Sequence, residues 1–89
     1  MITIDVRTAT DERELHALLK RELGFPAFYG MNWDAFWDAV TGLVEIPEGI
    51  RFTGWEHLAE RVPRGADMLR RSLDDYRDQY CAGFISEYA

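Results

Sequence analysis

The fold of this chain is decided by residues 25–42, which read FPAFYGMNWDAFWDAVTG. Residues 25–31 contain a proline and a glycine, and they predict a loop. Asn32 is a favourable N-cap residue, and the apolar spacing after it predicts a helix from about Trp33 to Thr41 that Gly42 ends. We therefore expect a loop followed by a short amphipathic helix in the first half of the chain.

The two faces of this predicted helix differ in character. The apolar face carries Trp33, Phe36, Trp37 and Val40, and the polar face carries Asp34, Asp38 and Thr41. At this spacing the β-carbons of Asp34 and Asp38 lie roughly 6 Å apart, and the two carboxylates repel each other weakly. No neighbour in sequence supplies a cation, because the chain has no Lys, Arg or His between Glu22 and Ile50.

Three interpretations of the two aspartates remain open. They are solvated surface carboxylates, or an acid pair or metal site of a hydrolase, or the acidic face of a protein-binding helix. A hydrolase pair needs a deep pocket, for which so short a chain has little room, and a metal needs further oxygen ligands nearby.

Aromatic residues around the aspartates favour the protein-binding interpretation, since aromatic side chains are enriched at the centres of protein interfaces. Five of them lie within ten residues: Phe28, Tyr29, Trp33, Phe36 and Trp37. Phe36 and Trp33 are interpreted as core residues. Phe28 and Tyr29 lie in the loop, where full burial is harder to arrange.

Composition restricts the class of partner. The 89 residues include 16 acidic and 10 basic ones, which gives a formal net charge of −6. A nucleic-acid or anionic-membrane ligand would require a cationic surface, so both are disfavoured. The sign of the charge suits a partner with a cationic cleft.

Sequence motifs of enzymes and cofactor sites are absent. There is no phosphate-binding glycine loop and no zinc-binding or serine-hydrolase motif, and neither His16 nor His57 lies beside a nucleophile. Cys81 is the only cysteine and is interpreted as a small apolar residue at the end of the last helix. We expect no metal, no cofactor and no catalysis. The lack of a signal peptide or long apolar segment predicts a cytoplasmic location.

The remaining elements alternate between strand and helix. Alternation over Ile2–Val6 predicts a strand, and a helix with threonine cap candidates at residues 8–11 is predicted to end at Gly24. A strand at Ile50–Phe52 and a short helix through Val62, opened by a capping box from Thr53 to Glu56, are predicted to follow.

The C-terminal part is predicted to hold a longer helix and a last strand. Pro63 and Gly65 are interpreted as separating the two C-terminal helices. The apolar face of the longer one is predicted at Ala66, Leu69, Leu73, Tyr76 and Tyr80, with Gly83 as its end. The final strand, Phe84–Ile85, is expected to be apolar on both faces. The whole pattern predicts one α/β domain over residues 1–89, with a three-stranded parallel sheet and about four helices.

Residues 25–42 resemble the central motif of the barstar family, which inhibits bacterial ribonucleases. That motif reads Pro-x-Tyr-Tyr-Gly-x-Asn-Leu-Asp-Ala-Leu-Trp-Asp, followed shortly by Thr-Gly. The resemblance extends upstream through Glu14-Leu15-His16 and Lys20-Arg21-Glu22-Leu23, and the order and length of the elements persist downstream. It implies an intracellular, monomeric inhibitor that binds a secreted guanyl-type ribonuclease one-to-one.

The resemblance also implies a contact surface. Asp38 would occupy the place of a substrate phosphate among the cationic residues of the ribonuclease, Asp34 would meet a second cation, and Phe28 and Gly30 would cover the region of the catalytic histidine. An acid of the fourth helix, Asp74 or Asp75, would add an outer contact, and Asp75 is included in the predicted set. The full predicted set is Phe28, Tyr29, Gly30, Asn32, Trp33, Asp34, Trp37, Asp38, Thr41, Gly42, Leu43 and Asp75.

Three residues depart from the family pattern. Phe28 replaces a tyrosine, Trp33 replaces a leucine, and Leu43 stands where barstar itself has a tryptophan. These departures bear on which enzyme is bound more than on how it is bound. The alternative is a barstar-like module for another basic protein or nuclease toxin, and a carboxylate-dependent hydrolase ranks below both.

Overall fold

The computed structural model describes residues 1–89 and consists of three strands and four helices. In chain order these are β1 (Ile2–Asp5), α1 (Glu12–Leu23), α2 (Trp33–Asp38), β2 (Gly49–Thr53), α3 (Trp55–Arg61), α4 (Pro63–Gln79) and β3 (Ile85–Tyr88). The strands form one parallel sheet in the order β1-β2-β3. The predicted α/β fold with a three-stranded parallel sheet and four helices is confirmed.

One face of the sheet is covered and the other is open to solvent. Ile4 pairs with Phe52, and both are fully buried, whereas Thr3, Arg51 and Glu87 align across the opposite face and are exposed. Because side chains alternate along a strand, the helices lie on the Ile4 side. This departs from the usual parallel sheet, which is covered on both faces.

Helices α1 and α4 supply much of the core against this face. Leu15 and Leu19 of α1 and Leu69 of α4 are fully buried. Arg64 donates two hydrogen bonds of 2.8 Å to the Glu12 carboxylate, which joins the N-terminal ends of the two helices. This ion pair is largely exposed, so it contributes at most about 1 kcal/mol, and apolar burial holds the helices together.

The predicted N-cap of α2 is confirmed, but the predicted end of the helix is wrong. The Asn32 carbonyl oxygen Oδ1 accepts a 2.7 Å hydrogen bond from the Ala35 amide. Regular α-helix ends at Asp38, and the chain continues as a wider π-turn over Ala39–Leu43. Gly42 therefore lies inside this turn, which the Val44 amide closes on the Ala39 carbonyl at 3.1 Å.

Several other predicted boundaries are corrected. The N-cap of α1 is Asp11 rather than a threonine, although the Thr10 amide and hydroxyl both donate to the Glu14 carboxylate. No capping box opens α3, because Gly54 precedes it with φ 73° and makes no side-chain cap. β1 ends at Asp5 rather than at Val6.

The C-terminal third also differs from the prediction. Pro63 is the first residue of α4, where a missing amide hydrogen costs nothing, so it begins the helix rather than separating two helices. Gly65 lies inside α4, where an added β-carbon would come within 3.1 Å of Leu15. The last strand begins at Ile85, and because its residues alternate between exposed and half-buried it is not apolar on both faces.

None of the helices combines the length and the apolar character needed to span a membrane.

Candidate functional site

The loop before α2 is fixed to the core from inside. Tyr29 is only 6% exposed, and its hydroxyl lies 2.7 Å from Nδ1 of His16, a fully buried residue of α1. Trp33 is 9% exposed, and its ring centroid lies 4.3 Å from that of His16. The expectation that Tyr29 would be hard to bury is therefore wrong. We call His16, Tyr29 and Trp33 the anchor cluster.

Burial sets the ionisation of the anchor cluster. Desolvation lowers the pKa of His16 below its ordinary 6.5, and the nearby Glu12 carboxylate opposes this only in part. Burial likewise raises the pKa of Tyr29 above its ordinary value. Both side chains are accordingly neutral near pH 7. The Trp33 indole nitrogen Nε1 is buried with no hydrogen-bond partner, and the indole ring packs against the His16 imidazole.

The outer side of the same loop carries exposed apolar side chains. Phe28 is 75% exposed and Leu43 is 50% exposed. With Tyr29, Gly30, Ala35 and Asp38 they line a groove of about 250 Å³. The structure thus brings together five residues that were predicted to contact a partner: Phe28, Tyr29, Gly30, Asp38 and Leu43.

The acidic residues of this side are unpaired within the chain. Asp34 and Asp38 are both exposed, and no Lys, Arg, His or N-terminal nitrogen lies within 4.0 Å of either carboxylate. On α4, Asp75 is also exposed and unpaired, whereas Asp74 lies 3.5 Å from Arg77. Of the two α4 candidates, only Asp75 has no cation of its own chain within 4.0 Å that would compete with an external cation.

The polar side chains next to α2 are engaged in holding its backbone. Asn32 caps the helix, and its side-chain NH₂ group donates a 3.1 Å hydrogen bond to the Gly30 carbonyl. The Thr41 hydroxyl donates a 2.7 Å hydrogen bond to the Trp37 carbonyl. Gly42 is exposed, and nothing lies within 4 Å of the place where a β-carbon would stand. Asn32 and Thr41 thus hold the backbone of this surface in place, whereas at Gly42 no side chain covers the backbone.

The predicted set therefore divides into two groups. Tyr29 and Trp33 lie inside the anchor cluster and support the surface from below. The remaining residues lie wholly or partly at the surface: Phe28, Gly30, Asn32, Asp34, Trp37, Asp38, Thr41, Gly42, Leu43 and Asp75.

Tyr80 is a surface aromatic residue that the sequence analysis placed wrongly, on the apolar face of α4. It is 60% exposed, and its ring contacts that of Trp37 edge-to-face at 5.7 Å. The helix ends at Gln79, so the apolar spacing runs past the last regular turn. Apolar spacing does not show where burial ends along a helix, so the sequence carried no signal that separates Tyr80 from the buried residues before it.

No group of three or more His, Cys, Asp or Glu side chains is arranged to hold a metal ion. The site instead consists of an exposed acidic helix with apolar side chains beside it, mounted on buried aromatic residues. Such a surface is suited to contacting a cationic protein through charge and apolar area together. By its fold and its site, this is a small α/β domain of the protein-binding class.

Comparison with known proteins identifies the family. The family that matches residues 1–87 is described as Barstar (barnase inhibitor). The chain belongs to the barstar family. A relative from Bacillus subtilis (strain 168), named "Putative ribonuclease inhibitor YrdF", is 48% identical over 83 residues, which cover 89% of this chain and 91% of that protein.

Proposed function

We propose that this protein is a cytoplasmic inhibitor of a secreted microbial ribonuclease of the guanyl type. It binds the enzyme one-to-one, as a monomer, and fills the active site with α2 and the loop before it. In this role the chain is a stoichiometric ligand and carries out no catalysis of its own. Membership of a family described as barnase inhibitors and the printed name of the Bacillus relative both support a ribonuclease as the target.

The observation that carries the proposal is the unpaired Asp38 carboxylate in the groove between Phe28 and Leu43. A ribonuclease must present cationic side chains to the phosphate of its substrate. A carboxylate that has no partner in its own chain breaks no internal ion pair when it binds, and charge-assisted hydrogen bonds from Arg or Lys donors offset the cost of removing it from water. The apolar walls of the groove would exclude water and strengthen those bonds.

The surrounding charge supports the same partner. Asp34 and Asp75 are exposed and form no ion pair within 4.0 Å, so they add negative charge to the surface. Fields of this kind speed the encounter with an oppositely charged protein. A basic enzyme would therefore bind quickly and at an ionic strength-dependent rate.

The test is inhibition of a panel of secreted microbial ribonucleases that includes barnase. Wild type is compared with Asp38→Ala and with Glu60→Ala, which removes the same charge from an exposed position on α3. Truncating one member of a buried, hydrogen-bonded charge pair costs about 2–5 kcal/mol, a range to which complexes of this family have themselves contributed. We expect a loss of that size for Asp38→Ala and little change for Glu60→Ala.

Two outcomes would contradict the proposal. If the wild type inhibits no enzyme of the panel, the target is another basic protein or nuclease toxin, and capture on immobilised basic nucleases is the next step. If Asp38→Ala inhibits as well as wild type, the acidic helix is not the inhibitory element.

A further inference from the structure

The aromatic pair Trp37 and Tyr80 lies at the edge of the proposed contact surface. The two rings meet edge-to-face, with centroids 5.7 Å apart and an angle of 69° between their planes. Trp37 is half-buried, whereas Tyr80 leaves most of its surface open to solvent. Tyr and Trp side chains are enriched among the residues that contribute most to the binding energy of protein interfaces.

The position of Tyr80 is fixed by further aromatic contacts. Its ring stacks on Tyr76 at a centroid distance of 6.4 Å and an interplanar angle of 12°, and Tyr76 in turn meets the buried Phe84 edge-on at 5.2 Å. A series of rings thus runs from the core to the exposed Tyr80. A side chain held in this way loses little conformational entropy when a partner covers it.

The charges around the pair favour a cationic occupant. Trp37 adjoins the unpaired Asp38 in sequence. The nearest cation on α4, Arg77, lies 3.5 Å from Asp74 and 3.2 Å from Asp78, so its charge is compensated. Neither of the two chain segments that carry these rings therefore supplies a free cation beside them. Arg and Lys side chains bind the faces of such rings by cation–π attraction, and Arg also stacks on them.

We propose that Trp37 and Tyr80 form a second contact for the same enzyme. In this contact the Tyr80 ring receives an Arg or Lys side chain that lies outside the catalytic cleft of the ribonuclease. The inference rests on the proposed function. Residues outside a catalytic cleft are free to differ between ribonucleases, whereas the phosphate-binding cations are required for catalysis. The pair consequently determines which ribonuclease is bound most tightly.

The test measures the dissociation constant and the off-rate for the panel enzyme that wild type binds most tightly. Tyr80→Ala is expected to weaken binding about fivefold to twentyfold, mainly through a faster off-rate. Tyr80→Phe keeps the ring and should bind within about twofold of wild type. Ile85→Ala removes another half-exposed apolar side chain, on β3 away from α2, and serves as the matched control, with no expected change.

Tyr80→Leu separates the cation from simple apolar contact. Leucine retains apolar area but has no ring face, so binding should fall nearly as far as with Tyr80→Ala. If leucine restores wild-type affinity, the contact is apolar and the assignment to an Arg or Lys side chain is wrong.

The remaining outcomes distinguish this inference from the function on which it rests. If wild type inhibits a ribonuclease but Tyr80→Ala binds it equally well, the second contact is overturned and the inhibitor function stands. The same holds if Tyr80→Ala only lowers the melting temperature while the folded variant binds normally, since Tyr80 then serves packing. If wild type binds no ribonuclease, both proposals fail together.

Discussion

Phe28 and Tyr29 are adjacent in sequence and lie on opposite sides of one loop. Tyr29 is buried against His16 in the anchor cluster, whereas Phe28 is the most exposed large apolar residue of the chain. The inner side fixes the loop, and the outer side presents the groove with Asp38. The proposed binding surface is therefore a thin layer whose shape is set by the core directly beneath it, so stability and binding should be separable residue by residue.

The largest expected difference in the free energy of unfolding is between Tyr29→Ala and Phe28→Ala. Removing the buried ring of Tyr29 leaves a cavity and an unpaired His16 nitrogen, and should lower the free energy of unfolding by about 3–5 kcal/mol. Phe28→Ala should change it by no more than about 0.5 kcal/mol, while weakening ribonuclease inhibition about tenfold or more. Urea unfolding and inhibition assays measure the two effects. Equal destabilisation by both variants would mean that the two sides of the loop do not divide these roles.

A pH titration of stability tests the anchor cluster alone. The folded state lowers the pKa of His16, so it favours the neutral imidazole, and protonation favours the unfolded chain. Stability should therefore be complete above pH 6.5 and fall as the pH drops below that value. The carboxylates whose pKa values are lowered, Asp5 and Glu14, start from 3.8 and 4.5 and so act only at more acidic pH.

Urea unfolding between about pH 8 and about pH 5 measures this dependence on the histidine. His16→Gln should lose most of it, and His57→Gln, at an exposed position on α3, is the matched control. If the pH dependence of the unfolding free energy survives in His16→Gln but disappears in His57→Gln, it arises from His57, and its assignment to the anchor cluster is wrong.

Gly42→Ala should have only a small effect on stability. A β-carbon at this exposed position meets nothing within 4 Å, and the glycine does not need a left-handed backbone, so alanine should change stability by less than about 1 kcal/mol. The added methyl group would nevertheless stand between the bare backbone and a closely approaching enzyme. Reduced inhibition with unchanged unfolding would support close approach at Gly42. Unchanged inhibition would mean that the enzyme does not contact the chain at Gly42.

Features that depend only on neighbouring residues could be predicted from the sequence. The strands at the start and middle of the chain, the loop after α1 and the Asn32 cap follow from alternation, Pro and Gly punctuation and side-chain capping, all of which act over a few residues. The unneutralised acidic stretch was also visible directly, since it required only the positions of charged residues.

What each of these residues faces depends on the packing of the whole chain and could not be predicted from local patterns. Tyr29 is buried because His16, thirteen residues away, supplies a polar partner for its hydroxyl inside the core. Asp75 rather than Asp74 remains unpaired because Arg77 reaches Asp74. Tyr80 continues the apolar spacing of α4 and stacks on Tyr76, yet it is 60% exposed. Local propensities fix where a helix lies, but burial and pairing depend on groups distant in sequence, whose positions are set only when the whole core packs.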